Sequence, residues 1–364
     1  MSGDCFDFVE VAAACDLIPK NWYEKQWLME EPLVNSFPDA VFYEDYDKMP
    51  DEAKLDVIIV ETGADIHAEF CRRALCKNIN VMTDIPVVAT LKEADELWKA
   101  AQKSTALISV GANPNEQKFV EMLKDYYKSG KLGKPYYMEA EYIHWFEPGG
   151  EAYFHLIENG AWRNSLSDIR YCTHSLGPLL TVVPDELRYV SCFGTGQHSE
   201  NVHENEKLKT DDMMAALFRT NDGTTIRLLR NGRCRARIEG HNYRVFGTEG
   251  YMERMAYGCG AESYIRYNST LDNDEKMHSV SGEFTPIAFK DDPNLKRGNT
   301  HDGLDYAMFY HFYDALLNNK PAPISLKEGL KMTLPGIYAE ESAKRGGELM
   351  KMYYPWDDEW KTEL

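Results

Sequence analysis

The sequence predicts an α/β protein: a doubly wound parallel sheet at the N-terminal end, then an α+β part built on a large, mainly antiparallel sheet with C-terminal helices. Three observations carry that expectation. From Phe8 to about Val110, short apolar runs alternate with helical patterns, the signature of βαβ units. After Asn115 the runs lengthen, alternate apolar with polar residues, and are joined by turn signals such as Asn221-Asp222-Gly223. With 364 residues, the chain suits two domains better than one core. The boundary is placed at residue 115, giving a dinucleotide-binding part over 1–115 and a substrate and oligomerisation part over 116–364.

The first part reads as "FVEVAAAC", "AVFYED", "LDVIIVET", "NVMTD" and "ALISVG" for strands, with "NWYEKQWLMEE", "HAEFCRRALCKN" and "LKEADELWKAAQKS" as helices between them. Such a Rossmann-type order has right-handed crossovers and places ligands beyond the C-terminal strand ends. "EQKFVEMLKDYYKSGKLGK" then predicts a bridging helix closed by Gly130 or Gly133. "PYYMEAEYIHWF", "ELRYVSCFG", "MMAALFRTNDGTTIRLLRNG" and "YRVFGTEGYMERM" predict the antiparallel strands. "IRYCTHSLGPLLTVV" predicts a buried helix or turn interrupted at Gly177-Pro178, and two C-terminal helices follow, the second broken or kinked at Pro335.

Hydrophobic residues make up 43% of the chain, enough for a sizeable core. The formal charge of -19 with dispersed acids argues against a nucleic-acid partner, which needs clustered Lys and Arg. A small polar or neutral substrate suits it better. Eight cysteines form no C-x-x-C pair and no zinc-ligand spacing, so they read as reduced thiols, and no metal is expected. "VAAAC" lacks the basic start and long apolar stretch of a signal peptide, and no run of 18 apolar residues predicts a membrane span; the expectation is a cytoplasmic protein. A broad sheet with one open face predicts a homo-oligomer, a dimer or tetramer.

Just after the strand runs stand Asp16, Thr62 with Gly63, Asp84 and Asn113. A carboxylate such as Asp16 after a strand accepts both ribose hydroxyls of an adenosine and repels a 2′-phosphate, which favours NAD over NADP. Thr62 and Gly63 let backbone approach a dinucleotide. His67 reads either as a polar residue at a helix N-terminus or as part of that site.

The series "VIIVETGADIHAEFCRRAL", "NINVMTDIPVVATLKEADELW" and "ISVGANPNEQKF", followed by "AEYIH" and "AWRN", resembles the Gfo/Idh/MocA oxidoreductase family across nearly the whole chain. Most members carry Glu-Lys-Pro after the fifth strand, where this chain has Asp84-Ile85-Pro86, and Asp-x-x-x-His where it has Arg170 four before His174. Ile85 cannot move a proton, so the ordinary dehydrogenase chemistry of the family is disfavoured. One branch departs similarly, the NAD-dependent glycosidases of glycoside hydrolase family 109. Its pattern is matched by Tyr142-Ile143-His144, Trp162-Arg163 and Tyr171-Cys172-Thr173-His174-Ser175-Leu176-Gly177-Pro178, with Cys172 and Ser175 replacing the usual Pro and Gly.

The resemblance implies a first strand and a Gly-x-Gly-x-x-Gly turn ahead of Met1, with "MSGDCFDF" as the tail of the first helix and its connection. It implies NAD as cofactor, held by Asp16, Thr62, Gly63, His67, Asp84, Pro86 and Asn113. It implies a redox-neutral cleavage in which oxidation at C3 of a sugar acidifies C2–H and lets the C1 oxygen leave. His144, His174, Tyr171 and Tyr142 would do the proton work, Arg163 would hold a sugar hydroxyl or carboxylate, and Tyr243 would line the pocket. The alternatives are a plain sugar or inositol dehydrogenase and a non-catalytic partner subunit. Residue by residue the plain reading is structural: a strand histidine that is simply hydrogen-bonded, or packing tyrosines among the 22 in the chain.

Overall fold

A computed structural model of the chain describes residues 6–25, 31–145, 166–198, 211–234, 240–256, 263–273, 276–281, 289, 291–296 and 301–364. The first part holds strands β1 (Ala13–Cys15), β2 (Val41–Tyr43), β3 (Val57–Val60), β4 (Asn80–Thr83) and β5 (Ile108–Val110). They form two parallel sheets, β1–β2 and β3–β4–β5. Between them run helices α1 (Lys20–Tyr23), α2 (Leu33–Ser36), α3 (Lys48–Glu52), α4 (His67–Cys76) and α5 (Leu91–Lys103). Thr90 and Glu93 close a reciprocal capping box at the start of α5.

One expectation is corrected here, and one lies partly outside the described residues. Of "MSGDCFDF", residues 1–5 lie outside the described residues, and Phe6–Phe8 form a turn, closed by Val9 N–H donating to Phe6 O at 2.9 Å. The Phe6 ring stacks on Tyr306 and meets Tyr313 edge-on, each at 5.1 Å between centroids. The helix expected from Asn21 onward stops at Tyr23, with Glu24 already extended, while Trp22 is buried against Phe42.

Helix α6 (Lys118–Lys128) leads into the second part, and both Gly130 and Gly133 take the left-handed conformation after it. Among the described residues nine strands follow: β6 (Pro135–Trp145), β7 (Leu187–Gly194), β8 (Met214–Thr220), β9 (Thr225–Cys234), β10 (Gly240–Gly247), β11 (Gly250–Met255), β12 (Tyr264–Ser269), β13 (His278–Ser281) and β14 (Met350–Lys351). They make one sheet in the order β13-β12-β11-β10-β6-β9-β8-β7-β14. Only β6 and β9 run parallel to each other; the other neighbours are antiparallel. One face carries Met138, Ala140, Ile226, Leu228, Tyr243 and Val245 into the core. The other carries Glu139, Glu141, Arg227, Arg244 and Glu253 as a cross-strand ion-pair lattice, with Arg227 to Glu141 at 2.6 Å and Arg244 to Glu139 at 2.6 Å.

Helices α7 (Thr173–Leu180), α8 (Leu304–Leu317) and α9 (Leu326–Lys344) complete the chain. Although α8 comes late in sequence, its Tyr306, Ala307, Phe309 and Phe312 pack with Met82 of β4 and Phe6, so it returns to cover the parallel sheet. The expected interruption at Gly177-Pro178 does not occur. Pro178 cannot donate to the carbonyl four residues back, that of His174, and the Tyr243 hydroxyl donates to that carbonyl at 2.7 Å instead. The α9 helix likewise runs through Pro335, and a Cβ at its Gly336 would lie 2.7 Å from Ile169 O and 2.9 Å from Cys172 Sγ, so glycine permits the close approach of α9 to the segment ahead of α7.

Candidate active site

The centre of the large sheet presents a row of polar side chains whose alignment follows from strand register. Tyr142 of β6 lies opposite His241 of β10 on one side and opposite Arg230 of β9 on the other. Because strand side chains alternate, all three leave the sheet on the face that carries Tyr243 and Leu228, toward α7. The Tyr142 ring stacks on His241 at 3.8 Å, and the Arg230 guanidinium lies 4.1 Å from its centroid. From the segment opening α7, Tyr171 and His174 close over this row: their rings are 5.1 Å apart and meet edge-on, with the Tyr171 hydroxyl 3.4 Å from His174 Nε2. His174 stands 6.2 Å from Tyr142 and 5.7 Å from His241, and His144 joins at 5.6 Å from Tyr142.

The structure therefore brings together Tyr142, His144, Tyr171 and His174, and places Tyr243 beneath them. Tyr243 is fully buried, stacks on Phe119 at 5.3 Å and holds the first turn of α7 through the His174 carbonyl, so it supports the cluster from beneath. Burial pushes its phenol pKa up. Arg163 lies outside the described residues.

Sequence reasoning missed His241 and Arg230. The available signal was the period of two: His241 stands two before Tyr243 and so shares its face. Arg230 carries no such local mark, since only the β6–β9 register sets it beside Tyr142. Burial holds His241 well below the usual imidazole pKa, helped by the neighbouring His174, Arg254 and Arg230, so it stays neutral.

The two positions at which the sequence departs from the expected Glu-Lys-Pro and Asp-x-x-x-His patterns are both buried. Ile85 is 1% exposed in the core and precedes Pro86 through a cis peptide bond. Arg170 is 9% exposed, pairs with Glu340 of α9 at 2.8 Å, and donates to the backbone carbonyl of Ala89, tying α9 and α7 to the loop after β4.

At the C-terminal strand ends, Asp16 follows β1 with Oδ1 accepting from Ile18 N–H at 2.8 Å and Oδ2 accepting from Asn21 at 3.0 Å. His67 is buried, and its two ring nitrogens face Pro86 O at 3.0 Å and Thr62 O at 2.8 Å, so one imidazole fastens the loops after β3 and β4 together. Asp84 N–H donates to Val60 O at 2.9 Å. Asn113 donates to Asp305 at 2.7 Å, and Asp305 also faces His301 Nδ1 at 2.8 Å, which joins β5 to the start of α8. These groups fit a dinucleotide: a carboxylate held in one orientation for a ribose, a glycine after β3, and amide and carboxylate groups at the next strand ends. The sequence contains no Gly-x-Gly-x-x-Gly turn for the pyrophosphate. Among the described residues no cluster of His, Cys, Asp and Glu is arranged to hold a metal ion, and no helix is long and apolar enough to cross a membrane.

Two family profiles match the chain: "Oxidoreductase family, NAD-binding Rossmann fold" over residues 27–112, and "Glycosyl hydrolase 109, C-terminal domain" over residues 147–362, more than half of its length. Among similar proteins, a glycosyl hydrolase family 109 protein of Shewanella pealeana is 21% identical over 98% of this chain and 82% of its own. Another, from Bacteroides fragilis, is 24% identical over 86% of this chain and 72% of its own. Among solved structures, levoglucosan dehydrogenase in complex with NADH and levoglucosan superposes with a TM-score of 0.75 at 15% identity, covering 94% of this chain and 90% of that one. An oxidoreductase from Agrobacterium radiobacter in complex with NAD+, L-tartaric acid and magnesium gives 0.72 at 16% identity, covering 93% and 90%. At such identities the likeness is one of fold.

Proposed function

The chain belongs to glycosyl hydrolase family 109, an enzyme family whose first part is an NAD-binding Rossmann domain, and from that premise we propose that it cleaves a glycoside by transient oxidation at C3 followed by elimination. The observation that carries this reading is the meeting of two phenols and three imidazoles on one sheet face, where a dehydrogenase lysine is replaced by the core residue Ile85. Elimination and re-addition of water need several proton transfers at adjacent carbons, and such a cluster supplies groups for each.

NAD, when bound at the strand ends, supplies the reversible hydride acceptor. Asp16 would accept its ribose hydroxyls, and the Thr62–His67–Pro86 clamp and Asn113 would line the edge beside it. With C3 at the ketone level, a base in the tyrosine–histidine cluster removes the C2 proton. The Tyr171 hydroxyl and His174 Nε2 are suited to pass a proton to the departing C1 oxygen and, in reverse, to take one from the incoming water. Tyr243 keeps His174 in place by holding its carbonyl.

The test is turnover of a panel of nitrophenyl glycosides in the presence of NAD. Release of nitrophenol with no net growth of NADH absorbance is expected. Stoichiometric NADH with the glycosidic bond intact would mark a plain sugar dehydrogenase, and no turnover of either kind would mark a binding subunit.

A further inference from the structure

The short turn after β5, Asn113–Glu116, is where three elements meet. It packs on α7 so closely that a Cβ on Gly177 would lie 2.5 Å from Asn115 Oδ1. It is tied to α8 twice, by Asn113 Nδ2 donating to Asp305 Oδ1 at 2.7 Å and by Glu116 Oε2 facing His311 Nδ1 at 2.9 Å. Gly111 brings the end of β5 under the same helix, since a Cβ there would lie 3.5 Å from Met308 Sδ. The second oxygen of Asp305 is also engaged: Oδ2 accepts from His301 Nδ1 at 2.8 Å, with His301 in the left-handed backbone conformation at φ 50°. Asn113 is 7% exposed, so its amide is read inside the protein and not by bulk water.

A primary amide presents either its N–H groups or its carbonyl oxygen, according to how it is turned. A carboxylate only accepts, so Asp305 selects one of the two: Nδ2 must face it, and Oδ1 is left to face elsewhere as an acceptor. His301 does the same for Asp305, its Nδ1–H fixing the plane of the carboxylate.

We propose that Asp305, steadied by His301, is a positioning residue that turns the Asn113 amide so that Oδ1 accepts from the carboxamide N–H of the nicotinamide ring. The inference rests on NAD lying at the strand ends, as above. Two placements select the nicotinamide half of that cofactor. Asp16, after β1, is the partner of the adenosine ribose in that reading. The turn bearing Asn113 stands instead at the end of β5 and against α7, the helix that carries His174. Hydride passes between the nicotinamide and the sugar, so the ring belongs between the cofactor edge and the polar cluster, where this turn stands. An amide turned the other way would set N–H against N–H and leave a shielded donor unsatisfied.

The test compares NAD with acetylpyridine adenine dinucleotide, in which a methyl group replaces the carboxamide NH2, by calorimetric titration of the full chain without glycoside. The unaltered protein should bind NAD roughly fivefold or more tighter than the analogue. Asn113→Ala and Asp305→Leu should each bring that ratio to within about twofold of one, chiefly by weakening NAD, and His301→Gln should lower it partway. Should Asp305→Leu not fold, the isosteric Asp305→Asn, which lets the amide turn either way, should lower the ratio as well. A merely structural Asp305 would weaken both dinucleotides by the same factor; an unchanged ratio in the Asp305 variants, or equal binding of the two by the unaltered protein, would overturn the proposal and leave NAD at the strand ends. Binding of neither dinucleotide would overturn both.

Discussion

The His174 side chain touches Tyr171 and His241, while its carbonyl is held by Tyr243. Replacing it by Gln keeps the helix and the carbonyl contact but removes the titrating nitrogen. Turnover should fall by roughly 10²-fold or more with the unfolding midpoint nearly unchanged. Near-full activity would remove His174 from the chemistry, and failure to fold would make it a structural histidine. His241 gives a pH signature. Its folded-state pKa is depressed, by burial first and then by His174, Arg254 and Arg230. Its contribution to stability is therefore fully present above the unfolded value of about 6.5 and is lost as pH falls below it, at up to ~1.4 kcal/mol per pH unit. Urea midpoints between pH ~7.5 and ~5.5 should drop less steeply in His241→Asn than in the unaltered protein; equal slopes would contradict that. Tyr171 and His174 were legible in the sequence because they lie in one contiguous motif, and Tyr142 and His144 because they alternate on one strand. His241 and Arg230 were not, because their membership depends on the pairing of β10 and β9 with β6, which no local spacing encodes.

At the scale of elements, the alternation of strands and helices up to Val110 was readable because each βαβ unit is a local pattern of periods 2 and 3.6. The prolines were misleading. Pro178 and Pro335 each remove one helical hydrogen bond, yet α7 and α9 continue: a tyrosine hydroxyl from β10 takes up the carbonyl freed by Pro178, and tight packing holds α9. Both compensations come from residues distant in sequence. The return of α8 to the parallel sheet was equally hidden, since its apolar face does not say which sheet it covers. Arg170 pairs with Glu340 of α9. Burial would raise the Glu340 carboxyl, but Arg170, the Ser167 N–H and Lys344 outweigh it and hold the pKa below its ordinary value. Arg170→Met leaves that buried carboxylate with Lys344 and the Ser167 N–H as partners, and should destabilise the protein by about 1–3 kcal/mol in chemical denaturation, with Glu340→Gln in the same chain recovering part of it. A loss under about 1 kcal/mol would show that the pair contributes little.

Across the whole molecule, one hydrophobic core runs from β3–β5 through α9 into the large sheet, so the cofactor edge and the polar cluster are parts of one packed body. The C-terminal segment adds a strap: Trp356 meets Trp98 of α5 at 5.0 Å, stacks on Tyr354 at 5.0 Å and donates to Glu186, while Arg188 pairs with Glu186 and Asp357. Fixed relative placement of the two parts is what hydride transfer at one carbon and proton transfer at the next require. In the proposed cleavage both C2 and C3 of the sugar react, and isotopes test this: turnover in D2O with NAD, followed by analysis of the released sugar, together with a glycoside carrying deuterium at C3. Deuterium should enter at C2, and the C3-deuterated substrate should turn over more slowly. A released sugar with no label at C2 and no C3 isotope effect would mean that hydrolysis proceeds by direct displacement at C1, and would rule out the oxidation–elimination route.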